Sequence, residues 1–322
     1  MKRYVSLSAA VALAAAVFIV LAPPSPAEAP QVPRESSAVT VLFLGDIMLD
    51  RSVREVGKRL GYDYIFEPLR ELLQAHDIVV FNLEGPVTDN PSVSAGSVVG
   101  SAENYVFTFD PKALEALASA GGASVLVAHL GNNHIFNFGA EGVERTEYYL
   151  KQKGIFFFGS PLRELEPAFL DTPAGPLALV SYNQFGGFAT SSSKALRGAA
   201  ASGAFPVLFA HWGEEYATGA PSYVEVLARE FAQAGARLVV GSHPHVLQAP
   251  GEYRAVPLYY SLGNAVFDQY WDERVSCGAA LSVTLQEGGI AGIKEIPLKL
   301  LSTRQTTLAR PGDCTGLSGV VQ

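Results

Sequence analysis

Short apolar runs recur along this chain, and within each run the hydrophobic residues are continuous instead of alternating with polar ones. The runs cover residues 40–44, 78–81, 124–128, 155–158, 177–180, 207–210, 238–240 and 258–260. Continuous apolar runs are typical of strands that are buried on both faces, as in a sheet covered by helices. We therefore predict a buried strand at each run.

Helical patterns alternate with several of these strands. Asp110 followed by Pro111 predicts a helix start, because aspartate caps free amide groups and proline fits the first helical position. Ser222 and Glu225 have the spacing of a capping box, which predicts a second helix. A third helix is predicted over residues 142–153. The alternation of strands and helices indicates an α/β layered fold with a largely parallel or mixed sheet.

Other stretches are predicted as loops or as a hairpin. Residues 90–103 and 186–203 are rich in small and polar residues, and we expect both to be loops. Residues 281–285 and 290–298 are apolar runs on either side of two glycines. This pattern favours a β-hairpin.

The composition is that of a folded, acidic protein. Of the 322 residues, 48% are hydrophobic and 17% are charged, and the formal net charge is -8. No run of Lys and Arg occurs after the N-terminus. Since phosphate backbones are bound by basic faces, we expect no nucleic-acid partner.

The N-terminus has the pattern of an export signal. Lys2 and Arg3 precede an apolar run over residues 4–22, and a Pro- and Ala-rich stretch follows. The run suits either a cleaved signal peptide or an uncleaved anchor. We predict an exported protein that is extracellular, periplasmic or anchored on the outer side of the cytoplasmic membrane. Its predicted parts are a signal or anchor (1–29), a linker (30–38), one domain (39–310) and a C-terminal tail (311–322).

Cys277 and Cys314 are the two cysteines of the chain. In an oxidising compartment they can form a disulfide, and otherwise they are two separate thiols. Because we expect export, we predict the bond, which would tie the tail to the hairpin.

Most of the predicted strands end in residues that can carry chemistry. Ligands of open α/β sheets bind beyond the carboxyl ends of the strands. Acidic, amide and imidazole side chains follow the strands here at Asp46, Glu84, Asn133, His134, His211, His243, His245 and Asn264. A further histidine, His129, is interpreted as a hydrogen-bonded residue at a strand end.

These residue types suit a metal centre. Carboxylates, amide oxygens and neutral imidazoles are ligands of Mn, Zn and Fe. Their number suits one or two divalent ions, with a carboxylate shared between two. The rival catalytic patterns, a Gly-x-Ser-x-Gly elbow and a Walker-type phosphate loop, do not occur.

The ordered set of strand-end motifs resembles the bacterial capsule-synthesis protein CapA family, over about residues 39–268. The motifs are Gly45-Asp46-Ile47-Met48-Leu49, Asn82-Leu83-Glu84-Gly85-Pro86, Asn132-Asn133-His134, His211-Trp212-Gly213, Ser242-His243-Pro244-His245 and Ser261-Leu262-Gly263-Asn264. Members of that family are linked to poly-γ-glutamate capsule biosynthesis. The family is in turn similar to the calcineurin-like metallophosphoesterases. The resemblance therefore implies a metallophosphoesterase-like layered sandwich, with two mixed sheets flanked by helices.

The resemblance also implies roles for individual residues. Asp46 and His245 would bind a first metal, and Glu84 would bridge two metals. Asn133, His211 and His243 would bind the second metal. His134 would act as general acid near the leaving group.

Two residues depart from the phosphoesterase pattern. Met48 stands where a metal-binding histidine is usual, so the first metal would have one ligand fewer. Asp50 stands where family members often have glycine, and it would either add a ligand or pair with Arg51. Asn264 is a further candidate ligand.

The resemblance implies an exported protein of capsule polymer biosynthesis with a metal-dependent hydrolase site. Its substrate would be an anionic polymer or a phosphate ester, and membrane-bound polymer synthase subunits would be its partners. Two alternatives stay open. One is a metallophosphoesterase that acts on a small phosphate ester, and the other is a non-enzymatic accessory subunit of a synthase or export complex.

Overall fold

Two β-sheets face each other in this protein, seen in a computed structural model that describes residues 38–163 and 166–314. The predicted signal or anchor, nearly all of the predicted linker and residues 315–322 lie outside the described residues. The strands are β1 (Ala38–Ile47), β2 (Ile78–Leu83), β3 (Val125–His129), β4 (Phe156–Phe158), β5 (Ala168–Thr172), β6 (Gly175–Asn183), β7 (Phe205–His211), β8 (Leu238–Ser242), β9 (Gly251–Tyr253), β10 (Val256–Tyr259), β11 (Asn264–Val266), β12 (Cys277–Gln286), β13 (Gly289–Leu300), β14 (Thr306–Leu308) and β15 (Pro311–Cys314). Every predicted strand is confirmed.

Both sheets are mixed. The larger sheet has the order β14-β13-β12-β1-β2-β3-β4, with β11 also pairing with β1, and the smaller has the order β5-β6-β7-β8-β10-β9. Strands β1 to β4 run parallel, as do β6, β7, β8 and β10, while β12 and β13 form the predicted antiparallel hairpin. Parallel neighbours place their carboxyl ends at one edge of each sheet.

The continuous apolar runs arise because both faces of the central strands are buried. In β1, Val41 and Phe43 face the core between the two sheets, while Leu42 and Leu44 face the helical layer behind the larger sheet. In β7, Phe209 faces the inter-sheet core, and Leu208 packs on the opposite side with the helices of the smaller sheet. Successive strand residues point to opposite faces, so a strand buried twice has no place for polar residues until it ends.

Helices cover the outer face of each sheet. The α-helices are α1 (Arg51–Leu60), α2 (Asp63–Phe66), α3 (Arg70–Gln74), α4 (Pro111–Gly121), α5 (Gly139–Gln152), α6 (Ala189–Ala201), α7 (Ser222–Gln233) and α8 (Glu273–Ser276), with 3-10 turns at Glu67–Leu69 and Ala102–Tyr105. The expected α/β sandwich of two mixed sheets flanked by helices is confirmed. Within the described ranges, no helix has the length and apolarity that crossing a bilayer requires.

Two local predictions were wrong. The stretch 186–203, expected as a loop, contains α6, because Leu196 and Ala199 are buried and outweigh the preference of its serines for turns. The capping box at Ser222 does not form: Pro221 takes the N-cap position, and no side chain caps the helix. The Asp110 cap is confirmed, since its side chain accepts a hydrogen bond from the Lys112 amide.

The end of the described chain is fixed to the larger sheet. Cys277, the first residue of β12, forms a disulfide with Cys314, as expected from the sequence. Both sulfur-bearing residues are buried beside Leu247 and Ala279. The start of the predicted tail is therefore held against the hairpin instead of being loose.

Removing this disulfide should destabilise the fold. The bond closes a loop with a sequence separation of 37 residues, and the chain-entropy argument for such a loop gives about 3–4 kcal/mol. The double variant Cys277→Ala/Cys314→Ala should lose about that much free energy of unfolding in urea titrations. Oxidised and reduced wild type should differ likewise, and two free thiols in denatured, unreduced protein would contradict the pairing.

A close backbone approach fixes β11 beside β1. A Cβ atom placed on Gly45 would lie 1.9 Å from the carbonyl oxygen of Gly263. Gly45→Ala should therefore lower the free energy of unfolding by about 1–3 kcal/mol or more, as overpacking does. Gly292→Ala is the matched strand control, because nothing lies within 4 Å of its Cβ position. Equal stability of the two variants in thermal unfolding would refute the steric constraint.

Candidate metal centre

Side chains from both sheets meet at the edge where the parallel strands end. Asp46 lies near the end of β1, Glu84 directly follows β2, and His211 ends β7. His243 and His245 lie in the turn after β8. All five are buried. The strand-end residues predicted from the larger and smaller sheets thus come together at one place.

The carboxylate of Asp46 is held on both of its oxygens. Asn82 donates from Nδ2 to Oδ1 at 2.8 Å, and the His243 backbone N–H donates to Oδ2 at 3.1 Å. His245 Nδ1 lies 3.2 Å from the same Oδ2. A residue of the larger sheet therefore positions the histidine turn of the smaller sheet.

The turn containing His243 and His245 has an uncommon backbone. Both residues have positive φ angles, 97° and 59°, in a region that costs a non-glycine residue of order 1–3 kcal/mol. This conformation turns both imidazoles toward Glu84, and the three side chains each offer a ligand atom within 4.8 Å of one another. The motif alone did not decide whether the two histidines face one ion.

The side-chain carboxylate of Glu84 has no hydrogen-bond partner among the described residues. Both of its carboxylate oxygens are buried without one, and so is Nδ1 of His243. His245 Nε2 lies 3.6 Å and His211 Nε2 lies 3.8 Å from Glu84 Oε1. Buried carboxylates are ordinarily paired or bound to metal. The unpaired carboxylate oxygens and imidazole nitrogen here are therefore suitable ligand atoms for a divalent cation.

The electrostatics of the cluster also fit a cation. Burial and then the negative charge of Asp46 raise the pKa of Glu84 well above its usual range. Burial opposes ionisation of Asp46 as well, but its interactions with His245 and Asn82 prevail and lower its pKa. Burial lowers the pKa of His211 far below its usual range and that of His243 to about 3. Neutral imidazoles keep the lone pair that binds metal.

Asn133 and His211 form the other side of the cluster. Asn133 Oδ1 lies 2.8 Å from His211 Nε2. The opposite ring nitrogen of His211 lies 3.0 Å from Ser242 Oγ. This second contact fixes the ring so that Nε2 faces Asn133 and Glu84, as in the buried supporting contacts of metal-binding histidines.

The ring of His134 is oriented by the contacts of its Nδ1 atom. Nδ1 donates to the carbonyl oxygen of Tyr105 and to Asn137 Oδ1, both at 3.1 Å. The ring stacks on Phe107 with 4.3 Å between centroids. Burial lowers the pKa of His134 to about 4. Nε2 is thus the ring atom left for a ligand or a proton.

Two of the further candidates have other contacts. Asp50 does not pair with Arg51: its Oδ2 accepts from Ser94 Oγ and the Thr108 amide, and Arg51 pairs with Asp268. Among the described residues, Asp50 is not part of the cluster formed by Glu84, His243 and His245. Asn264 Oδ1 lies 3.0 Å from His245 Nδ1, and this contact orients the imidazole.

Met48 is part of the hydrophobic core. Its side chain is fully buried, and its sulfur accepts a hydrogen bond from the Asp50 amide at 3.0 Å. The thioether therefore contributes to the turn after β1.

Sequence reasoning missed several positioning residues. Asn82 contacts Asp46 and lies 3.3 Å from His129 through its Oδ1. His129 is satisfied, since its Nε2 lies 2.8 Å from Ser181 Oγ. The available signal was a polar residue inside an apolar strand, because such a residue needs buried partners. No local pattern could have found Ser242 as the partner of His211.

Comparison with known proteins agrees with these motifs. The family model described as "Bacterial capsule synthesis protein PGA_cap" matches residues 40–269. The chain is 30% identical over 300 residues to the "Capsule biosynthesis protein CapA" of Bacillus anthracis, covering 85% of this chain and 70% of that protein. It is 27% identical over 296 residues to the "PGA biosynthesis protein CapA" of Bacillus subtilis strain 168, covering 85% and 75%.

A solved structure gives only a loose superposition. The crystal structure of TT1561 of Thermus thermophilus aligns with a TM-score of 0.43 and 10% identity, over 77% of this chain and 99% of that one.

Replacing Glu84 should have opposite effects with and without metal. In chelator, Glu84→Gln should raise the free energy of unfolding at pH 7 by about 1–3 kcal/mol, because it removes a buried carboxyl group without a partner, which ionises less readily in the fold than in the unfolded chain. The pKa of Glu84 is raised in the fold, so its ionisation disfavours folding above the ordinary glutamate pKa, and the gain should shrink as pH falls toward that value. With divalent metal, wild type should be stabilised and the variant should not.

Urea unfolding at pH 5 and pH 7, with and without chelator, measures these effects. Glu214→Gln is the control, since Glu214 is an exposed glutamate that lies shortly after His211 in the chain. A Glu84→Gln variant that is stabilised by metal as strongly as wild type would show that Glu84 is not a ligand.

Proposed function

The chain belongs to the bacterial capsule synthesis protein family, and we propose that it acts outside the cytoplasmic membrane in poly-γ-glutamate assembly, as a metal-dependent hydrolase of the polymer. The observation that carries the proposal is the buried cluster of Glu84, His243 and His245, in which both glutamate oxygens are unpartnered. A site of this composition at the strand ends is suited to activating water.

The residues have distinct parts in this proposal. Asp46, His245 and the shared Glu84 would hold one divalent ion, and Asn133, His211, His243 and the same Glu84 a second. Bound ions of this kind supply a water of lowered pKa and a positive charge for the oxygen that becomes negative in the transition state. The metal could be Mn, Zn or Fe.

His134 would deliver the proton that the leaving group needs. When water adds to an amide carbon and the C–N bond breaks, the departing nitrogen takes up a proton. Because burial lowers its pKa to about 4, His134 would be neutral at pH 7 and would take this proton from the attacking water. The proton would sit on Nε2, since Nδ1 is engaged by Tyr105 and Asn137, and would then pass to the departing nitrogen. General acid catalysis of this type contributes about 10²–10⁴-fold in rate.

Export is part of the proposal and is supported by the sequence at Lys2, Arg3 and residues 4–22 and by the disulfide, a bond typical of oxidising compartments. Fractionation of the native host should place the domain outside the cytoplasmic membrane. Full-length protein in the cytosol would contradict export.

Variants of the three histidines should separate metal binding from proton transfer. His243→Ala should remove the more tightly held ion, because the position it serves has the fuller set of protein ligands. His245→Ala should affect mainly the weaker ion. His134→Ala should keep both ions and lower polymer hydrolysis by about 10²–10⁴-fold. Elemental analysis, calorimetric titration and a chain-length assay on poly-γ-glutamate measure these effects.

His76→Ala is the control, because His76 hydrogen-bonds to Leu72 and Ser282 and belongs to no part of the cluster. Loss of metal in His134→Ala as complete as in His243→Ala would refute the assigned roles. Cleavage of p-nitrophenyl phosphate but not of the polymer would favour a small phosphate ester as substrate. A metal-loaded protein that cleaves neither, yet co-purifies with synthase subunits, would favour an accessory role.

A further inference from the structure

A cavity of about 860 Å³ opens beside the cluster, under α6. Two of its lining residues also touch the metal-binding side chains. Asn133 Oδ1 lies 2.8 Å from His211 Nε2, and the Phe185 ring lies 4.4 Å from the His243 ring between centroids. The cavity therefore adjoins the candidate centre on its Asn133–His211 side.

The cavity walls are unusually aromatic for a solvent-exposed surface. Four lining phenylalanines have exposed side chains: Phe136 (48%), Phe169 (42%), Phe185 (45%) and Phe188 (75%). Exposed apolar surface concentrated in one concavity marks a ligand site, since a bound ligand removes it from water. The ligand must accordingly carry apolar groups.

One basic side chain of the lining is available to pair with an anionic group. Lys194 and Arg163 line the cavity together with Glu166. Arg163 is already paired with Glu147, but Lys194 has no ion-pair partner among residues 38–163 and 166–314. Because the lining also contains the acidic Glu166, the attraction for a negative group is local to Lys194. A lysine in the same lining as exposed aromatic rings suits a ligand that combines negative charge with apolar surface.

We propose that this cavity binds several consecutive units of the polymer and leads them to the cluster. In a γ-linked glutamate chain each unit carries one carboxylate and two methylene groups. The methylenes would contact Phe185 and Phe188, and a carboxylate would pair with Lys194. This inference rests on the proposed function, because it names the substrate of the same site. The cavity is near the upper end of the usual ~300–1,000 Å³ for ligand pockets, more space than a small phosphate ester fills.

Binding can be tested without catalysis, on the full exported chain in chelator. The probe is a synthetic oligomer of about five γ-linked glutamates, titrated calorimetrically. Lys194→Gln and Phe188→Ala should each weaken binding by about tenfold, the effect of one lost contact worth about 1.4 kcal/mol. Lys58→Gln and Phe156→Ala are the matched controls, since both residues are exposed and neither lines the cavity; they should bind like wild type.

Each other result has a definite meaning. No binding of the oligomer, equal affinity of Lys194→Gln and wild type, or equal affinity for free glutamate would overturn the cavity proposal. So would equal affinity for an oligomer whose carboxylates are amidated. If Phe188→Ala does not fold, Lys194→Gln alone decides.

The failure of this proposal is distinguishable from failure of the proposed function. A protein that binds the oligomer through Lys194 but hydrolyses nothing would support the cavity proposal and refute the proposed hydrolase activity. If the protein hydrolyses the polymer and KM is unchanged in Lys194→Gln and Phe188→Ala, the hydrolase activity is supported and the cavity proposal is refuted.

Discussion

The carboxylate of Asp46 is the junction on which the site depends. Asp46 lies near the end of β1 in one sheet, yet its carboxylate accepts a hydrogen bond from the backbone N–H of His243, which follows β8 in the other sheet. Its second oxygen is held by Asn82 of the neighbouring strand β2. Hydrogen bonds to a buried carboxylate are strong because little water competes for it. This residue therefore links the relative position of the two sheets to the orientation of the histidine turn.

The hydrophobic core makes that junction possible. Residues of both sheets, such as Phe43 and Phe209, fill the space between them, and helices seal the outer faces. Close-packed layers leave little freedom for the strand ends to shift. Glycines permit the last approach, since any side chain on Gly45 would collide with Gly263. The rigid layers thus support a polar cluster that would be costly in a looser fold.

That cluster is unsatisfied within the protein itself. Glu84 is buried with neither carboxylate oxygen hydrogen-bonded, and burial lowers the pKa values of the nearby His211 and His243 so that both rings are neutral. A fold that retains such a group, together with positive φ angles at His243 and His245, gives up stability there. A bound cation would offset both costs. Membership in a capsule synthesis family and the aromatic cavity beside the cluster are the two observations behind our proposal that a polymer binds here.

The central strands, three of the eight described α-helices and the chemical character of the strand ends could be predicted from the sequence alone. These follow from local rules: a doubly buried strand must be apolar, and its first polar residues lie where it ends. The pairing of Cys277 with Cys314 was also accessible, because the chain has no other cysteine. Serine-rich α6 was missed, because burial of Leu196 and Ala199 overrides local preference.

Which of the strand-end residues meet is a property of the tertiary structure. Asp46 and His243 are separated by 197 positions, and no local pattern encodes a contact over that distance. The same applies to Asp50, whose carboxylate faces Ser94 and Thr108 instead of Arg51. The backbone conformation of the His243-Pro244-His245 turn could likewise not be predicted from the sequence, since its positive φ angles depend on the tertiary contacts around it. Local chemistry specifies what each strand end carries, whereas the packing of the two sheets specifies which strand ends share a site.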